Sequence, residues 1–141
     1  MTSPDPAADG RRRADEFLAL LGRDDDAAGV LLGGLSDVRD LVFLGAGLTA
    51  IARSEARSLP PAQRAQANTR QERLGFVRDA NRSNPDGLRT WLRQAGEEIV
   101  LIRSQQAIAD RVDAAAQERT ATRAAAEANG TAAASSPATT T

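Results

Sequence analysis

Few side chains here could do chemistry, and their types narrow what that chemistry is. The 141-residue chain has no cysteine and no histidine, and all 18 basic residues are arginines, so lysine is absent too. That removes thiolate nucleophiles and zinc–sulfur sites. It also removes the usual general base near neutral pH, the commonest metal ligand, and the lysine of Schiff bases and phosphate loops. Two acidic groups remain. Asp24-Asp25-Asp26 offers oxygens to a hard cation, but an EF-hand register from Asp24 puts Ala28 and Leu35 where ligands are required. The run reads instead as the start of a helix, where carboxylates cap free N–H groups and suit the positive dipole end. Glu97-Glu98, with no histidine, lysine or metal motif beside it, reads as a solvated helix edge. No catalytic residue, cofactor site or metal ligand is assigned, and the expectation is a protein that is not an enzyme.

Charge is distributed more informatively than the net value of −1 suggests. Residues 53–93 hold nine arginines and four acids, whereas residues 1–40 hold five arginines and nine acids. The basic segment could contact phosphates, with Arg64, Arg70, Arg73, Arg78, Arg82, Arg89 and Arg93 as the contact residues. Arg64, Arg70, Arg73 and Arg78 share no single helix face, and residues 81–87 are too long and polar for a helix-turn-helix turn. The alternative is that the basic segment faces the acidic one, or an acidic partner.

Val42-Phe43-Leu44-Gly45-Ala46-Gly47-Leu48-Thr49-Ala50 fits the pattern G-x-G-x-x-G/A. Over these nine residues the chain resembles the first β-turn-α of the FAD/NAD-binding Rossmann families. The resemblance implies a strand at 41–44, with Gly45, Gly47 and Ala50 approaching a pyrophosphate at a helix N-terminus, in a fragment of a dinucleotide-binding enzyme. The fingerprint also requires a second strand ending in an acid about 20 residues on. Here that place falls at 64–67, in a polar stretch just past Pro60-Pro61. The surrounding residues therefore favour a buried, glycine-bearing helix over the cofactor loop.

The element that must organise the rest is residues 41–52, the longest uncharged run with large apolar side chains. Asp37, Arg39 and Asp40 fence it on one side, and Arg53, Glu55 and Arg57 on the other. A membrane span needs roughly 20 apolar residues, more than this run provides. A central helix over about 37–57 follows, capped by Ser36 or Asp37. Gly45 and Gly47 would cost it roughly 1 kcal/mol each if exposed, so their presence predicts that another helix backbone passes close by. Ahead of it, Ala14, Phe17, Leu18 and Leu21 put one apolar face on a helix over 11–21, stopped by Gly22. A short helix over 27–32 ends at Gly33-Gly34. A polar helix over 61–82 follows Pro60-Pro61, and Asn84-Pro85-Asp86 starts a long helix over about 85–128. No segment alternates as a strand would.

In the long helix, Leu88, Leu92, Ala95, Ile99 and Ile102 keep a coiled-coil-like 4-3-4-3 spacing, with Trp91 beside them as a core or interface anchor. The seam lapses at Gln106 and Asp113. A second stripe, Leu101, Ile108, Val112 and Ala115, lies about 100° round the helix, so a bend or a change of partner is expected near 103–106. The expected fold class is all-α: a small helical bundle around the central helix. It comprises a disordered segment at 1–10, a helical domain at 11–113, an alanine-rich extension at 114–128 and a disordered tail at 129–141. The expected function is non-enzymatic pairing with a protein partner or a second copy, through Leu88, Trp91, Leu92, Ile99, Ile102, Ile108 and Val112. Nucleic-acid contact by the arginines is the alternative. No membrane partner and no cofactor are expected. With no apolar leader at 1–10, the expected setting is a bacterial cytoplasm.

Overall fold

A computed structural model describes residues 5–135, and side chains through residue 130. The described residues form five helices and no strand: α1 (Pro6–Leu21), α2 (Asp25–Gly33), α3 (Val38–Ala56), α4 (Pro61–Ala80) and α5 (Pro85–Ser135). The fold is all-α, as the periodicity requires. It divides into two units, the first ending at Gln106 and the second beginning at Ala107. The first holds α1–α4 and the opening part of α5; the described residues of the second are the remainder of α5.

Local chemistry explains the helix starts. Asp5, Asp24 and Asp37 each accept a hydrogen bond from a backbone N–H of the first turn, at 3.1, 3.1 and 2.9 Å. This is the capping role read for Asp24, and it selects Asp37 over Ser36. Pro6, Pro61 and Pro85 each open a helix, where the missing N–H costs nothing.

The first unit is built on close approach of helices. Leu41, Leu44 and Leu48 of α3 are fully buried, and Phe17, Leu88, Leu92, Ile99 and Ile102 close around them. Both glycines of α3 sit at contacts. A Cβ on Gly47 would lie 3.0 Å from the Gly10 carbonyl oxygen and 3.2 Å from Arg11 Cα, so the α1 backbone crosses there. A Cβ on Gly45 would run into the ring of Trp91. Gly10 faces the Phe43 carbonyl from the opposite side of the same crossing, and Gly96 of α5 accommodates Phe17 and Leu21. The glycines thus trade about 1 kcal/mol each of helix propensity for contact that larger residues would block.

Three expectations need correction. Residues 41–44 are helical and not a strand, and Gly45 and Gly47 lie inside α3, so no loop cradles a phosphate there. The first helix begins at Pro6 and not at residue 11, because Asp5 caps it and Pro6 opens it, and Gly10 is buried against α3; residues 1–4 lie outside the described residues. The backbone also stays helical through Asn129-Gly130 to Ser135, the alanines on both sides outweighing one glycine; residues 136–141 lie outside the described residues. No described helix is long and apolar enough to cross a membrane.

Candidate functional site

The residues singled out for pairing separate into two groups. Leu88, Trp91, Leu92, Ile99 and Ile102 are buried in the chain's own core, against α1 and α3. Their seam is filled from within the chain. Ile108 and Val112, in the second unit, are 49% and 58% exposed. Val100 and Leu101, at the end of the first unit, are exposed as well.

Five of the seven arginines proposed for phosphate contact are engaged by bonds within the chain. Arg70 Nε donates to both carboxylate oxygens of Glu98, at 3.0 and 2.7 Å, tying α4 to α5. Arg89 spans to the end of α2, donating to the Leu32 and Leu35 carbonyls at 3.2 and 2.9 Å and to Asp86 at 2.7 Å. Arg93 reaches the Asp25 carbonyl at 3.5 Å. Arg78 and Arg82 share Asp79, at 3.1 and 3.8 Å. Only Arg64 and Arg73 of the seven have neither hydrogen bond nor ion pair among the described residues. Arg89 and Arg93 thus bind neutral backbone carbonyls of the α2 region, and among the described residues no ion pair joins an arginine of 53–93 to an acid of 1–40.

Glu97-Glu98 also divides. Glu97 is exposed, but Glu98 is buried at 7% exposure, against the expectation of a solvated edge. Its charge is offset by the Arg70 guanidinium, whose Nε–H both oxygens share. Nothing near Glu98 in sequence signals this, since its partner lies 28 residues away. Among the described residues no group of acidic side chains is placed to hold a metal ion.

A feature the sequence did not disclose is a groove of about 660 Å³ between α3, α4 and α5, entirely within the first unit. Leu48, Ala52 and Ala56 of α3 and Trp91 and Ala95 of α5 form its apolar floor. Arg53, Arg57 and Arg64 line it near the junction of α3 and α4, whereas Leu74, Phe76 and Arg78 line it toward the end of α4. Arg53, in the last turn of α3, and Arg57, its C-cap, lie four residues apart and on one side. Thr49, Asn68, Gln71 and Glu72 supply polar lining, and the Gln71 Nε2 is buried without a hydrogen-bond partner. Phe76 is 68% exposed at the far end. No family model, no curated protein and no solved structure matches the chain.

Proposed function

We propose that this protein is a non-enzymatic helical interaction protein of the bacterial cytoplasm, which pairs with a second copy of itself through the later part of α5. The observation that carries the proposal is the exposure of Ile108 and Val112 in a unit whose described residues form one helix. A lone helix draws little stability from propensity, and in proteins most of it comes from packing an apolar face. Ile108, Val112 and Ala115 follow steps of four and three, the spacing of a two-helix seam. Residues 107–130 carry three arginines and four acids, so two copies bring little net repulsion to the contact.

Light scattering on the full chain tests this. The expected mass is twice the 14.8 kDa of one chain, falling to the single-chain mass in the double variant Ile108→Asp/Val112→Asp. A wild-type monomer at 100 µM that keeps full helicity overturns the proposal, as does a double variant that stays dimeric.

A further inference from the structure

We propose that the groove between α3, α4 and α5 binds a linear aliphatic carboxylate, its acid at the α3–α4 junction and its chain running over Trp91 toward Phe76. This site is separate from the pairing helix and does not depend on it.

The volume, about 660 Å³, falls in the range of small-molecule sites, which are apolar clefts carrying a few polar groups. The groove is elongated: from Arg64 to Arg78 along α4 is about 21 Å at the helical rise. Its two ends differ chemically. At the α3–α4 junction, Arg53, Arg57 and Arg64 make no ion pair among the described residues. Helix α4 begins there with Pro60 as N-cap and no side-chain cap bond, so its first-turn amides and positive dipole end add to the same potential. The acids in the lining do not cancel this. Glu98 is held by Arg70 and Asp79 by Arg78 and Arg82, which leaves Glu72 as the one lining acid without a described ion pair. Between the ends the floor is aliphatic and aromatic. Phe76, a large apolar side chain left in water, stands where the far end of an extended chain would cover it. At the far end Arg78 and Asp79 neutralise each other beside Phe76, so one acid followed by one long apolar body matches the lining in order.

Trp91 is the only tryptophan, so its fluorescence reports the groove directly. Full-length protein is titrated with dodecanoate below its micelle concentration, with dodecyltrimethylammonium, inorganic phosphate and a single-stranded oligonucleotide as comparators. The expected result is a saturable, one-to-one change with dodecanoate alone. Binding should weaken tenfold or more in Arg53→Ala/Arg57→Ala/Arg64→Ala, and severalfold in Phe76→Ser, with circular dichroism unchanged in both. The altered side chains are exposed, so both variants should fold. Absence of a saturable change overturns the proposal. So do equal affinity for the cationic amphiphile, unaltered binding in both variants, and an oligonucleotide that alone saturates the signal.

Discussion

Replacing Gly10 by alanine should loosen the first unit, although on helix propensity the same change stabilises. A Cβ at Gly10 would lie 2.5 Å from the Phe43 carbonyl oxygen and 2.7 Å from its carbon. Both are backbone atoms inside α3, so no side-chain rotation relieves the clash. The two helices must part by half an ångström or more where Gly47 and Ala14 also meet. Overpacking a well-filled core costs about 1–3 kcal/mol, and an immovable backbone puts this case toward the upper end. Alanine returns up to about 1 kcal/mol of propensity, so the net loss should be about 1–2 kcal/mol. For a unit of this size that lowers Tm by about 4–16 °C. Thermal melting followed at Trp91 reads the bundle, and Gly75→Ala is the matched control. Gly75 faces only the end of Arg78, at 3.8 Å, so alanine there should raise stability by about 0.5–1 kcal/mol. A Gly10→Ala variant that melts at or above wild type would refute the close crossing of α1 and α3 and return residues 5–10 to a loose segment.

Arg70→Ala should cost about 2–4 kcal/mol in denaturant unfolding, because it strands the buried Glu98 carboxylate; Arg70→Met with Glu98→Leu should recover most of that loss. Arg89→Ala should cost about 1 kcal/mol and speed amide exchange over residues 25–35, since the carbonyls ending α2 lose their charged donor. Gly45→Ala should destabilise and shift the Trp91 emission, because the new methyl group occupies the place of the indole ring.

What was legible in the sequence was short-range. The caps at Asp24 and Asp37 and the Pro85 start follow from residues within one helical turn. The burial of α3 follows from an uncharged run too broad for a single apolar face. Gly47 was informative because an unexplained glycine inside a helix predicts a close helix backbone, and α1 is that backbone; at Gly45 the close neighbour is the Trp91 ring and not a backbone. Gly10 carried the same signal but sat among residues that resembled a loose terminus, although Asp5-Pro6 repeats the cap-and-proline pattern of Asn84-Pro85. The seam at Leu88–Ile102 was visible, but its spacing is the same whether the covering helix comes from the same chain or another. The Arg70–Glu98 pair and the groove were hidden for a further reason: each depends on how α3, α4 and α5 meet, and no local pattern encodes that meeting.

Pairing through residues 107–128 is tested most directly by hydrogen exchange on the unmodified chain at two concentrations. Amides around Ile108 and Val112 should be protected at 100 µM and lose that protection at 0.1 µM, while those of α3 exchange slowly at both. Equal protection at both concentrations, or none at either, would contradict a helix that holds its structure by packing against a second copy.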